Sequence, residues 1–356
     1  MRVVLRFLAA HPPLRGAPVV MVGESYGGIR ASVALHMLLQ HPRYADGSAG
    51  YEDPALVDEV RAHLDAVLGP GSHAPGEVAT QFGAQVLLQP RISSVDQNEV
   101  AGALLEGPDS PLWAVAEETG VPFVPCVEIG PSCEPYAHAL DFVSAAGRDY
   151  YDLRHPLGWT LARYAELEPA FQDRAVLEVA LGVSPGVIEG LAADERGGSF
   201  RLPDEAPETE PLAAQLGALG AADRYHRVEL FDLLGAPFVS AEAQALGVDR
   251  RDARWGALFL ENLREVRTFV SDAPNDVVIF SAALPQALAR YDDIVAEVVP
   301  KMGRMGATQG VTVRYQDGAE REVVRPRYAS SGHSVSLHEP EKLADDIAAW
   351  LAGGAP

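Results

Sequence analysis

The spacing of hydrophobic positions changes along the chain, and each change marks an element. Residues 2–10 carry apolar side chains at helical spacing interrupted by Arg6, which predicts an amphipathic helix. The continuous apolar run Ala17-Pro18-Val19-Val20-Met21-Val22 predicts a strand buried on both faces of a parallel sheet. Residues 29–39 hold few breakers and predict a helix, and residues 52–68 predict another, acidic one. A second buried strand is expected at 84–88, ended by Gln89-Pro90, and a third at 266–270. Residues 311–315 and 323–328 predict two more strands around a turn at Asp317-Gly318. The last helix spans 339–351, with Leu343, Ile347, Trp350 and Leu351 at helical spacing.

The stretch between these regions reads differently. Residues 96–255 contain short helical pieces, many prolines and the polar run Asp204-Glu205-Ala206-Pro207-Glu208-Thr209-Glu210, and no repeat is found. Strands alternating with helices at both ends of an irregular helical middle predict one α/β domain with an inserted cap. Residues 1–95 are the first part of the core, 96–255 the helical cap, and 256–356 the second part of the core.

Composition narrows the functional classes. Of 356 residues 47% are hydrophobic and 22% charged, enough apolar side chain for a sizeable core. Acidic residues outnumber Lys and Arg by 50 to 28, for a formal charge of −22. That balance argues against nucleic acid, whose affinity comes largely from neutralised phosphates, and against an electrostatic hold on anionic lipid. No apolar run approaches the ~20 residues of a membrane span. The first ten residues superficially look like a signal peptide. Arg6 interrupts them and no cleavage site follows, so no export signal is expected in the chain as given. The only cysteines, Cys126 and Cys133, could close a small disulfide loop in an oxidising compartment or remain two reduced thiols. A Cys-His metal site would need further soft ligands nearby, and none are present.

The chemistry is carried by Gly23-Glu24-Ser25-Tyr26-Gly27, a G-x-S-x-G motif between a predicted strand and a predicted helix. A serine in so sharp a turn needs small neighbours two positions either side. The helix that starts there aims its N-terminal amides at a developing oxyanion, with the Tyr26 N–H as one donor. Serine needs a base. Of ten histidines, His11, His36, His41, His63 and His73 are expected at the surface, and His155 and His226 fall in the cap without a motif. His333, in Ser331-Gly332-His333-Ser334-Val335, follows a strand and precedes the last helix, where an α/β-hydrolase delivers its base. His338 lies at the start of the closing helix. The orienting acid is expected after the strand at 266–270, in a loop holding Asp272 and Asp276. Asp272 could instead terminate the strand, and Asp276 is the candidate triad acid.

These residues together resemble the serine carboxypeptidases. Gly23-Glu24-Ser25-Tyr26-Gly27-Gly28 is similar to that family's Gly-Glu-Ser-Tyr-Ala-Gly, and Phe7-Leu8 with His11-Pro12 to its preceding Phe-Leu…Phe-Pro helix. Tyr151-Asp152-Leu153-Arg154 resembles its Tyr-Asp-Ile-Arg segment, and Ala180-Leu181-Gly182-Val183 a helix ending in Leu-Gly-Val. Gly332-His333-Ser334-Val335 with Glu339-Pro340-Glu341 resembles its Gly-His-Met-Val-Pro…Gln-Pro-Glu ending. The resemblance implies an α/β-hydrolase whose triad is Ser25, Asp276 and His333, cleaving the C-terminal residue of a peptide. It also implies that Glu24, when protonated, helps bind the substrate's free carboxylate at acidic pH, besides supporting the elbow. No metal or organic cofactor is expected, and a secreted or periplasmic location is.

The chain departs from the family pattern in three respects. Only 24 residues precede Ser25, and none carry the family's Gly-Gly-Pro-Gly oxyanion segment. The N-terminal strands are therefore expected to be missing, leaving one flank of the sheet unpaired. The loop before Asp276 is two residues longer than usual, and Ser334 and Ser336 replace Met and Pro. An esterase or acyltransferase on the same triad, or a non-catalytic scaffold binding peptide or a partner, are the alternative readings.

Overall fold

The computed structural model describes residues 1–48, 53–156, 255–302 and 308–353. In chain order these form α1 (Arg2–Ala10), β1 (Val20–Glu24), α2 (Gly27–Leu39), α3 (Pro54–Leu68), α4 (Pro75–Val78), β2 (Ala84–Leu88), α5 (Ser94–Leu105), α6 (Pro111–Thr119), α7 (Cys126–Ile129) and α8 (Pro135–Ala145). A hairpin of β3 (Arg148–Asp149) and β4 (Asp152–Pro156) follows. The second part contributes α9 (Trp255–Leu263), β5 (Arg267–Val270), α10 (Leu284–Leu288), β6 (Val295–Met302), β7 (Thr308–Tyr315), β8 (Glu320–Val324), α11 (Val335–His338) and α12 (Pro340–Leu351).

Six strands make one mixed sheet in the order β1-β2-β5-β8-β7-β6. The pairs β1/β2, β2/β5 and β5/β8 are parallel; β8/β7 and β7/β6 are antiparallel. Side-chain alternation in β2 and β5 shows why the parallel strands read as unbroken apolar runs. Val86, Leu88 and Phe269 point to one face, where they pack with Tyr328, Leu343 and Trp350 of the C-terminal region. Leu87 and Val270 point to the other, onto Phe259, Leu260 and Leu263 of α9. Helices on both faces of a mixed sheet define an α/β fold.

Several expectations are corrected. The first strand begins at Val20 rather than Ala17, because Pro18 has no amide to donate; Val19 N–H goes instead to Gln81 O at 2.7 Å. Among the described strands β1 lies at the end of the sheet and pairs only with β2. Val22 is 65% exposed, so burial on both faces holds for β2 but not for β1. The strand expected at 323–328 ends at Val324, beyond which Arg327 makes only an isolated bridge to Asp272. β6 is a strand that periodicity missed. Among the described strands it pairs only with β7, and such an edge position tolerates Pro300.

The surface placement expected for the early histidines holds for His11 alone; His36, His41, His63 and His73 are buried. Each is satisfied by a polar partner. His36 bridges the Tyr44 hydroxyl at 2.6 Å and Glu261 at 2.9 Å, and His63 meets Gln81 at 3.0 Å. His41 Nδ1 lies 3.0 Å from Leu38 O, and His73 2.7 Å from Asp65.

The described part of the predicted cap, 96–156, is helical apart from the β3–β4 hairpin. Its core, built on Leu105, Leu112, Ala139 and Val143, also takes in Val277, Ala283 and Ala287 from the segment after β5. Cys126 and Cys133 are joined by a disulfide with their Cα atoms 5.3 Å apart, which decides between the two states the sequence left open. The polar run 204–210, His226 and the segment 180–183 lie outside the described residues.

Candidate active site

Ser25 sits between the last residue of β1 and the first turn of α2, with φ of +56°, a left-handed conformation rare outside glycine. Two hydrogen bonds hold it against the exit of β2. Its N–H donates to Leu88 O at 2.8 Å, and its carbonyl accepts from Arg91 N–H at 2.9 Å. The two flanking glycines are not equivalent. A Cβ on Gly23 would collide with the carbonyl of Gly27, whereas one on Gly27 would meet nothing within 4 Å. Tyr26 is the N-cap of α2, so its backbone amide opens the helix directly after the serine.

His333 lies in the loop between β8 and α11, and Asp276 in the loop after β5. His333 Nδ1 and Asp276 Oδ2 are 2.6 Å apart. A carboxylate at that nitrogen fixes the neutral ring with its proton on Nδ1, leaving the Nε2 lone pair available. Asp276 is wholly buried; its Oδ1 accepts from Val278 N–H and Ile279 N–H, both at 3.0 Å. The β3–β4 hairpin braces both loops. Tyr151 O accepts from His333 N–H at 2.7 Å, Tyr150 O from Val277 N–H at 3.0 Å, and Leu153 N–H donates to Asn275 O at 3.1 Å. The Tyr151 ring lies 5.0 Å from the imidazole.

The electrostatics place a proton on His333 more readily than on a free imidazole. Burial pulls its pKa down, but the Asp276 carboxylate and, more weakly, Glu24 outweigh burial and the opposing Arg91, so the net shift is upward. Glu24 is itself raised, because loss of water outweighs the opposite charge of His333. Each charge thus bears on the protonation of the other. Among the described residues the Ser25 hydroxyl forms no hydrogen bond, to the imidazole or otherwise. Such bonds are commonly long in ligand-free sites and shorten in the complex.

The second aspartate of the loop has different work. Asp272 accepts from buried Arg325 at 2.9 Å and from the Ser281 hydroxyl, tying the loop to the exit of β8. His338 and Arg154 gather instead around Asp152, at 3.4 and 2.6 Å, away from the Asp276 carboxylate. Sequence reasoning missed Gln89, the residue just after β2, whose amide reaches Asp276 Oδ2 at 3.3 Å. Its positive φ of 41° has no signature in a lone glutamine. Among the described residues no group of three or more His, Cys, Asp or Glu is arranged to hold a metal ion, and no helix is long and apolar enough to cross a membrane.

No family model and no curated protein matches the chain. Among solved structures it is similar to Kex1(delta)p, a prohormone-processing carboxypeptidase from Saccharomyces cerevisiae, with 9% identity and a TM-score of 0.37. The match covers 98% of this chain and 64% of that one, so the chain spans less than two thirds of that protein's length. A likeness this distant assigns neither family nor activity.

Proposed function

We propose that the chain is a serine hydrolase of the α/β-hydrolase type, acting as a carboxypeptidase on the C-terminal bond of peptides. The observation that carries this reading is the Asp276–His333 hydrogen bond of 2.6 Å, in a loop that Gln89 ties to the segment whose Leu88 and Arg91 hold the strained Ser25 turn. In the proposed reaction His333 Nε2 removes the hydroxyl proton of Ser25 as the oxygen attacks the substrate carbonyl. Asp276 keeps the ring in the required tautomer and stabilises the imidazolium. The Tyr26 N–H, at the start of α2, donates to the oxyanion. His333 then protonates the departing amine, and water resolves the acyl-enzyme with the same imidazole as base. Glu24 in its neutral form donates a hydrogen bond to the peptide's terminal carboxylate, which its raised pKa favours. The Cys126–Cys133 disulfide supports a secreted or periplasmic setting.

A fluorophosphonate probe tests the chemistry. Labelling at Ser25, lost in Ser25→Ala and His333→Ala, is the expected result; a folded protein that never labels is a binding scaffold and not a hydrolase. Peptides with free and amidated C-termini then test the substrate class, the free acid being the one cleaved.

A further inference from the structure

Gln89 is fully buried, adopts a left-handed backbone conformation and spends every polar atom of its side chain on the loop that carries Asp276. Its Nε2 donates to Asp276 Oδ2 and to Ala273 O, both at 3.3 Å. Its Oε1 accepts from Ala273 N–H at 2.9 Å and from the Ser271 hydroxyl at 3.3 Å, while its own N–H donates to Ser271 Oγ at 2.7 Å. Leu88 O, one residue before it, and Arg91 N–H, two residues after it, hold Ser25. The turn 88–91 is therefore bonded to the nucleophile on one flank and to the acid loop on the other.

A solvated surface glutamine would not be held in a strained conformation for these contacts. The oxygen that Gln89 meets is the same Oδ2 that faces the imidazole. With Val278 and Ile279 on Oδ1, the carboxylate has two donors on each oxygen and its plane is fixed.

We propose that Gln89 is a positioning residue, which orients the Asp276 carboxylate toward His333 and locks the spacing between the acid loop and the Ser25 turn. The inference rests on the serine-hydrolase reading for its catalytic meaning, but its structural core is separable. The groups facing His333 are Asp276, Glu24, Arg91 and Tyr151; those facing Asp276 are His333, Gln89, the phenols of Tyr136 and Tyr151, and the amides of Val278 and Ile279.

Two variants and two readouts test it. Gln89→Met removes the donor at similar volume. It should lower kcat about 10- to 100-fold with KM little changed, the expected effect of small misplacement in a preorganised site. Gln89→Glu keeps the acceptor for Ala273 N–H but sets a second carboxyl against Asp276. It should displace the acid limb of the kcat/KM profile to higher pH, as expected of a charge added 3.3 Å from Asp276 Oδ2. The low-field proton resonance of the His333 Nδ1–H should shift in both variants, and that readout needs no turnover. An unaltered Nδ1–H resonance in folded Gln89→Met and Gln89→Glu overturns the proposal, as does an unaltered pH limb in variants of an active wild type. A wild type that neither labels nor hydrolyses defeats the hydrolase reading instead, and leaves the resonance to decide the role of Gln89.

Discussion

Asp272 and Asp276 lie four residues apart on one loop and serve separate partners: Asp272 pairs with the buried guanidinium of Arg325, and Asp276 with the imidazole of His333. The first bond holds the loop to the exit of β8, and the second joins it to the loop that carries His333.

Substitution should separate the two roles. Asp272→Ala leaves Arg325 buried without its counter-charge, which typically costs about 3–5 kcal/mol, so denaturant melts should show a large loss of stability. Asp276→Asn keeps the shape but reverses the tautomer preference of His333. It should lower kcat by about 10⁴-fold with the melting transition nearly in place. Equal stability losses in both would contradict the division.

On the proposed hydrolase reading, the raised pKa of His333 sets where turnover begins. The base must be neutral, so hydrolysis of a small ester should rise with pH through a midpoint above the ordinary imidazole value of 6.5 and then level off. A peptide with a free C-terminus also needs Glu24 protonated, and its rate should fall again as that carboxyl ionises, above its ordinary value of 4.5. The peptide profile should therefore be a bell and the ester profile a step; superimposable curves would remove Glu24 from substrate binding. For stability the sign is opposite. The His333–Asp276 attraction stabilises the fold while the imidazole is protonated, and that contribution is lost as pH climbs through the raised pKa.

The two glycines of the serine motif make a paired test. Gly23→Ala drives a methyl group into the Gly27 carbonyl and should displace the elbow, abolishing probe labelling. Gly27→Ala has open space and lies in the first turn of α2, so labelling should persist with stability unchanged or slightly improved.

Reducing the Cys126–Cys133 bond should lower stability by roughly 2–3 kcal/mol, as expected for so short a loop, and Cys126→Ser should reproduce the loss. Thiol titration of the unreduced, unfolded protein should find no free sulfhydryl.

Much of this arrangement was legible in the chain because it is local. The apolar runs at 84–88 and 266–270 became β2 and β5, and the serine motif marked the junction of β1 and α2. His333 followed from its place after a strand and before the closing helix. What escaped depends on partners distant in sequence. His36 looked like a surface histidine because Glu261, 225 residues away, is invisible to periodicity. β6 escaped because Pro300 argues against a strand unless the strand is known to be at an edge. Gln89 carried no motif, and its meaning appears only when the loops at 25 and 271–276 close around it.

The bonds from Leu88 and Arg91 to Ser25 carry a consequence for inactivation. A serine bonded to the end of β2 and to the turn after it cannot drift off by itself. On the proposed reading, heating should destroy probe labelling and the sheet as one event, with no unlabelled yet ordered species accumulating between them.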